Sequence, residues 1–389
     1  MPITGNGQQP SDSTRPKRRE VVVVGGGQTG LAIGYLLSRQ GRDFAILEAA
    51  AEPAAAWRER WDSLKLFTSA RYSGLPGLPF PGDPGRYPGR DEVVDYLTEY
   101  AQRFELPVEL NSRVRSLSKA DGHYLIATDE RTYEADQVVV ATGPFQVPFV
   151  PAIAGGLDPQ VLQLHSSEYR SPDAIEGGPV LVVGGGNSGF QIAEELSATH
   201  EVHISIGSAQ KPLPQRVLGR DLFWFLDATG LIRKSVESRI GRKLAGRDTL
   251  IGPKPKARMR RHGFEMHGRA VSVDASTVTF ENGSELDVGA VIWATGFRTD
   301  HSWIDAPVFD AEGRLIHRRG VTDSPGLYFL GLTWQYTRGS ALIGFVNDDA
   351  EHIADQINTF GPAAAREETG PTQAERVNAR DRGLTRSEQ

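Results

Sequence analysis

Apolar and polar positions fall into one pattern that occurs twice. Val21–Val24 is an unbroken β-branched run, as expected of a parallel strand buried on both faces. Glycines follow, and then "LAIGYLLSRQG" has the apolar spacing of a helix that stops at Gly41. "DFAILE" reads as the next strand, ending at Glu48. The same order returns in "PVLVVGGGNSGFQIAEELSATHEVHISIG", and Gly184 lies 159 residues after Gly25. That separation far exceeds solenoid periods and marks a repeated domain motif. "DEVVDYLTEYAQRFEL" predicts an amphipathic helix. "DGHYLIATDERTYEADQVVVATG" and "VDASTVTFENGSELDVGAVIWATG" each predict a hairpin running into a buried strand that ends in Ala-Thr-Gly. Residues 67–90, rich in Pro and Gly, predict a long irregular loop, and such loops are usually functional.

The two glycine turns carry the chemistry. Gly25, Gly27 and Gly30 fit GxGxxG between a strand and a helix. The first glycine permits the tight turn and the second lets the backbone approach a pyrophosphate. The third lets the helix pack on the strand, and the helix dipole favours phosphate charge. Glu48 stands 23 residues after Gly25, at the end of the next strand, where a carboxylate accepts hydrogen bonds from ribose hydroxyls. It repels a 2′-phosphate, so this turn suits FAD or NAD. Gly184, Gly186 and Gly189 repeat the spacing without the acid: Gly207 and Ser208 stand at the ribose position. Lys211, Arg216 and Arg220 follow. They favour a phosphorylated ribose, hence NADPH, or else form a solvated loop. A held flavin and a visiting nicotinamide that reduces it explain why one chain needs two turns.

Composition narrows the classes. The chain has 389 residues, enough for two domains of ordinary size, with 39% hydrophobic and 24% charged residues. A net charge of −6 argues against nucleic acid as a partner. No apolar run reaches the roughly 18–20 residues that span a bilayer. Residues 1–20 lack the apolar segment of a secretory signal. There is no cysteine, which removes disulfides, thiolate metal sites and a CxxC redox pair and fits a cytoplasmic location. No metal site is expected. A homo-oligomer stays open.

The predicted fold is α/β, with two Rossmann-like dinucleotide-binding domains of three-layer ββα type, the NADPH domain inserted into the FAD domain. The expected boundaries are an arm at 1–19, the first part of the FAD domain at 20–150 and the NADPH domain at 151–288. The return segment of the FAD domain follows at 289–360 and a flexible tail at 361–389.

"GGGQTG", Glu48, "ATGPFQVPFVP", "HSSEY", "GGGNSG" and "ATGF" stand in the order found in flavin-containing monooxygenases. Over residues 20–360 the chain resembles a class B flavin-dependent monooxygenase. The family motif FxGxxxHxxx plus an aromatic residue is half present: Pro159 and Val161 replace its Phe and Gly, while His165 and Tyr169 remain. The resemblance implies cofactor contacts at Gln28, Thr29, Trp57, Ala141, Thr142 and Gly143. It implies others at Asn187, Ser188, Ala294, Thr295, Gly296, Gly331 and Leu342; Ser208, Arg216 and Arg220 are placed toward the NADPH ribose by the pattern after the second turn. Trp61 either borders the flavin or belongs to the core. Phe67 stands where many members have Asn or His that holds the peroxide adduct. It cannot hydrogen-bond, which leaves Thr68 or Ser69 as substitutes by proximity. Arg58, Lys65, Arg298 and Arg338 are candidate cations, and Arg298, just after "ATGF", is the preferred catalytic one. Trp303, Trp334 and Tyr336 line a substrate pocket or pack the interior.

The implied reaction is reduction of FAD by NADPH, addition of oxygen to give a C4a-(hydro)peroxyflavin, and oxygen transfer to N or S of a small organic substrate. Tyr169 favours N or S, since Baeyer–Villiger members typically carry tryptophan there. Baeyer–Villiger oxygenation of a carbonyl, an NAD(P)H-dependent flavoprotein reductase and a redox-sensing binding protein are the alternatives.

Overall fold

The computed structural model describes residues 15–208, 211–246 and 249–360. The expected tail and all of the expected arm except residues 15–19 lie outside the described residues.

The first sheet is centred on the strand Lys17–Val24. It pairs in parallel with Phe44–Leu47 on one side and Thr132–Val140 on the other. Its two faces are buried differently. Val21 and Val23 face a core shared with Leu31, Ile33 and Leu37 of the helix Gln28–Arg39. Val22 and Val24 pack with Leu117, Tyr124 and Ile126 of the antiparallel hairpin Val114–Ala120 and His123–Thr128. Fully burying each valine contributes roughly 1.5–3 kcal/mol, so a run of four explains why this strand is central. Thr132–Val140 does two things: its first half pairs with the hairpin and its second half pairs in parallel with Leu327–Phe329.

The second sheet runs Glu265–His267, Val202–Ser205, Val180–Val183, Ala290–Trp293, Leu162–His165, all parallel. Helix Asn187–Leu196 covers one face through Phe190 and Ile192. A three-stranded antiparallel sheet, Ala270–Asp274, Thr277–Phe280 and Glu285–Asp287, covers the other. Both domains are therefore three-layered. Every strand of the second sheet precedes Leu327–Phe329, which returns to the first, so the second domain is inserted into the first. The return ends in the helix Asn347–Thr359, whose Ile353 and Ile357 join the core of the helix Gln28–Arg39.

One part was not expected. Between Val202–Ser205 and Glu265–His267 the chain forms helices Leu222–Ala228, Arg239–Leu244 and Pro255–His262. They are short, and only scattered residues of each are buried, so their periodicity is weak.

Candidate functional site

The turns have matching geometry. A Cβ on Gly25 would lie 2.7 Å from the carbonyl oxygen of Ala141, and one on Gly184 would lie 2.2 Å from that of Ala294. Each first glycine therefore packs against the Ala of an Ala-Thr-Gly that ends the neighbouring strand. Each also has a φ reserved for glycine, 112° and 132°. A Cβ on Gly30 would meet the Gly25 carbonyl at 1.8 Å, and one on Gly189 would meet that of Gly184 at 2.0 Å. These third glycines set helix against strand. Gly27 is different: its φ of −78° is ordinary and a Cβ there meets nothing within 4 Å. Its open side faces a cavity.

That cavity, about 970 Å³, is shared by the two turns: Gly25, Gly27 and Gln28 line it from one domain, Gly186, Asn187 and Ser188 from the other. Both helix N-termini therefore open onto one space, and unpaired backbone N–H groups there favour anionic groups. Glu48 also lines it. Its Oε2 accepts from the Gly26 N–H at 2.7 Å and its Oε1 from the Ala50 N–H at 2.9 Å, which fixes the carboxylate at the strand end. An open glycine cradle, a helix N-terminus and a fixed carboxylate at the next strand end fit the diphosphate and ribose of FAD.

Among the other expected residues, Thr29, Trp57, Phe67, Thr68, Ala141, Thr142, Gly143, Ala294, Gly296 and Leu342 line the cavity. Lys65, Arg338, Trp61, Trp303 and Trp334 do so as well. Trp57 Nε1 donates to Gln28 Oε1 at 2.9 Å, so these two hold each other. The Asn187 side chain is committed to the segment between helices Arg239–Leu244 and Pro255–His262, donating to the Thr249 carbonyl at 3.0 Å and accepting from the Ile251 N–H at 2.9 Å. Thr295 donates its hydroxyl to the Phe149 carbonyl. Gly331 packs on Thr29, where a Cβ would meet Oγ1 at 2.5 Å. Trp334 adopts φ 57° at the cavity wall, left-handed backbone that a bulky residue keeps only under constraint.

Several expected residues are placed differently from what the sequence pattern suggests. Arg298 is exposed, lies over the Phe149 ring at 4.4 Å and does not line the cavity. It sits beside a smaller open pocket of about 450 Å³ with Pro144 and Thr299. Arg216 donates to the Gly85 carbonyl at 2.8 Å and lies over Tyr87, and Arg220 lies over Trp224 at 4.4 Å, so both are spent on the insert and its neighbour. Ser208 is exposed and outside the cavity lining. Arg58 pairs with Glu52 at 2.6 Å, and Tyr336 sits under Arg319. Thr68 exchanges a hydrogen bond with Ser73 at 3.1 Å, so its hydroxyl is already engaged.

Phe67 is a wall. Its ring stacks on Phe223 of the insert at 6.0 Å, and Phe223 also meets Tyr72 and Phe345. These four rings join the irregular loop, the inserted domain and the return segment. His165 and Tyr169 are ties. The ring of His165 reaches the Gly296 carbonyl at 3.0 Å, and burial lowers its pKa. Tyr169, fully buried, donates to Glu195 at 2.9 Å on the helix that follows the second turn.

Three contributors were missed. Arg60 lines the cavity with its guanidinium 4.9 Å from the Phe297 ring and 5.8 Å from that of Phe145, and burial lowers its pKa. No carboxylate pairs with it among the described residues. Gln191 pairs both amide atoms with the backbone of Lys65 across the domain boundary, at 3.1 and 3.2 Å. Gln146 links Thr142 and Gly143 to the Asp300 N–H. Each depends on a contact more than a hundred residues distant or on a loop, and no local pattern reports it. Away from the cavity, His203, Glu265 and His267 bring three possible ligand atoms within 4.8 Å on the edge of the second sheet, where no metal was expected.

The model of the pyridine nucleotide-disulphide oxidoreductase family matches residues 22–216, half of the chain. The chain belongs to this family. Within it the chain is flavin-containing monooxygenase-like, an oxidoreductase that works with FAD and a pyridine nucleotide. An uncharacterized CzcO-like oxidoreductase from Geobacillus kaustophilus is 45% identical over 87% of this chain and 98% of its own length. A probable indole-3-pyruvate monooxygenase, YUCCA9, from Arabidopsis thaliana is 28% identical, covering 90% of each chain. The solved flavin-containing monooxygenase from Stenotrophomonas maltophilia superposes with a TM-score of 0.74 at 30% identity, over 88% of this chain and 99% of that one. No helix among the described residues is long and apolar enough to cross a membrane.

Proposed function

We propose that the chain is an NADPH-reduced, FAD-dependent monooxygenase that oxygenates a small organic molecule at nitrogen or sulfur. The observation that carries this reading is the single cavity onto which both glycine turns open. Bound FAD supplies a ring that accepts a hydride and, once reduced, activates oxygen. The residues bind, orient and keep out water. Gly27 and the helix Gln28–Arg39 receive a diphosphate, and Glu48 orients a ribose. Gly186 and the helix Asn187–Leu196 receive the second diphosphate. Phe67 lines the cavity and is backed by the rings of Phe223, Tyr72 and Phe345, and a dry site protects reactive oxygen species from protonation. The carboxylates on the cavity wall are Glu48 and Asp300, and Glu48 is committed to two amides. The wall thus offers little acid–base machinery, which suits transfer of oxygen to a soft nucleophile. With no cysteine in the sequence, electron delivery through a protein disulfide is not available to these residues.

One observation favours a second reading: two relatives are named probable indole-3-pyruvate monooxygenases, and indole-3-pyruvate carries a carbonyl group. A panel of amines, sulfides, ketones and 2-oxo acids separates the two. Oxygen uptake that tracks NADPH, with product appearing only from amines or sulfides, is expected. Product only from carbonyl compounds overturns the N or S assignment, and uptake indifferent to every substrate overturns the monooxygenase reading.

A further inference from the structure

The two domains differ where each second strand ends. Gly26 and Gly185 hold matching places in their turns, and a side chain on either would strike the residue just past that strand. Gly26 would meet Glu48 Cβ at 2.9 Å and Gly185 would meet Ile206 Cγ2 at 2.8 Å. Ile206, and not Gly207, is therefore the counterpart of Glu48. An apolar residue there neither accepts from a ribose nor repels a phosphate.

What stands next to it is a cation from elsewhere in the chain. A Cβ on Gly207 would lie 3.1, 3.2 and 3.4 Å from Cζ, Nη2 and Nε of Arg269. The guanidinium thus lies against the side of Gly207 where a side chain would stand, and Nη2 donates to the Gly207 carbonyl at 2.9 Å. The backbone of Arg269 is pinned on both sides. The buried Ser205 hydroxyl donates to the Gly268 carbonyl at 2.8 Å and accepts from the Ala270 N–H at 3.0 Å. Beside it, the Ile206 N–H donates to the His267 carbonyl at 3.0 Å. Arg269 itself is exposed and forms no ion pair with a carboxylate among the described residues. A guanidinium with its remaining N–H groups open is suited to a phosphomonoester.

We propose that Arg269 is the specificity residue that reads the 2′-phosphate of NADPH, that Gly207 lacks a side chain so that the guanidinium can reach this place, and that Ser205 positions it. This rests on the reading that the Gly184 turn holds the pyridine nucleotide. It also assigns the charge recognition that the sequence pattern gave to Arg216 and Arg220 to the connection between Glu265–His267 and Ala270–Asp274.

The test is calorimetric titration of the FAD-loaded protein with 2′,5′-ADP and with 5′-AMP, alongside KM for NADPH and NADH. Wild type is expected to bind 2′,5′-ADP more tightly than 5′-AMP. Arg269→Ala should weaken 2′,5′-ADP by about 10- to 100-fold, the range of a charged hydrogen-bonded contact, and leave 5′-AMP within about twofold. Ser205→Ala should produce a smaller loss of the same kind, and Arg269→Lys should keep part of the preference. Unchanged flavin content and melting temperature show that a variant is folded. If Arg269→Ala folds and still prefers 2′,5′-ADP as wild type does, the role of Arg269 is overturned. If wild type binds both nucleotides equally, the NADPH reading itself is overturned.

Discussion

Gly27 and Gly30 belong to one short motif, yet the structure predicts opposite failures for them. Gly27 has an ordinary φ and open space where a Cβ would go, so Gly27→Ala should fold with a cofactor-free melting temperature at or slightly above wild type. The added methyl stands where a pyrophosphate must approach, so this variant should purify without flavin colour. A Cβ on Gly30 would lie 1.8 Å from the Gly25 carbonyl, a contact that only backbone movement relieves. Gly30→Ala should lose stability itself, by several kcal/mol if it folds at all, at the upper end for single substitutions. Thermal melts with and without added FAD check both, and a Gly27→Ala protein that keeps its flavin would remove the cradle from the account. At this scale the sequence was informative about the turns, because glycine spacing is dictated by backbone approach within a few residues. It was less informative about charged groups. Arg298, chosen for its place after "ATGF", turns outward to Phe149, while Arg60 faces the cavity between two rings that belong to distant segments.

Among the elements, the aromatic wall shows how a role changes when partners arrive. Phe67 offers no hydrogen bond, and its function lies in contact with Phe223 on a helix of the insert. Phe223→Leu keeps most of the buried volume and breaks the ring stack with Phe67. It is expected to leave flavin content unchanged and to raise the share of NADPH oxidised without product, seen as a higher ratio of hydrogen peroxide to product. An unchanged ratio would show that the rings pack the domains together and do nothing for the dry site. The strands at Val21–Val24 and Val180–Val183, the helices behind them and the hairpins leading to each Ala-Thr-Gly were all legible, since each carries its own periodicity. The insert was not. Its helices are of 6 to 8 residues and lean on the return segment, for example where the Val236 N–H donates to the Tyr336 carbonyl at 2.7 Å. Such contacts form only once the fold brings the segments together.

For the molecule as a whole, one buried histidine and four half-buried ones set the response to acid. His165, His267, His301, His317 and His352 all have pKa values lowered chiefly by burial. In the unfolded chain each takes up a proton near its ordinary value of about 6.5, whereas the folded chain does so only at lower pH. The unfolded state therefore binds more protons across that window. Stability from these groups is complete above about pH 6.5 and is lost as pH falls toward the folded values. Urea unfolding midpoints should be flat at neutral pH and fall steadily below it, and a midpoint that rises on mild acidification would contradict the burial of these rings. The insertion of one domain in the other was expected from the recurring glycine motif and the resemblance, but the expected boundary at 288 left Ala290–Trp293 to the return segment, whereas that strand pairs within the second sheet. The contact between domains was not legible, since Gln191 against Lys65 joins residues 126 positions apart.

The central claim is a division of labour: the Gly25 turn keeps FAD, and the Gly184 turn presents a reduced nicotinamide to it inside one cavity. Anaerobic titration of the purified flavoprotein with NADPH, following visible flavin absorbance in wild type and Gly186→Ala, tests it most directly. Wild type should bleach at one equivalent, while Gly186→Ala should carry as much flavin but bleach far more slowly. A wild-type flavin that NADPH leaves coloured, or a Gly186→Ala protein that has lost its flavin, would contradict the claim.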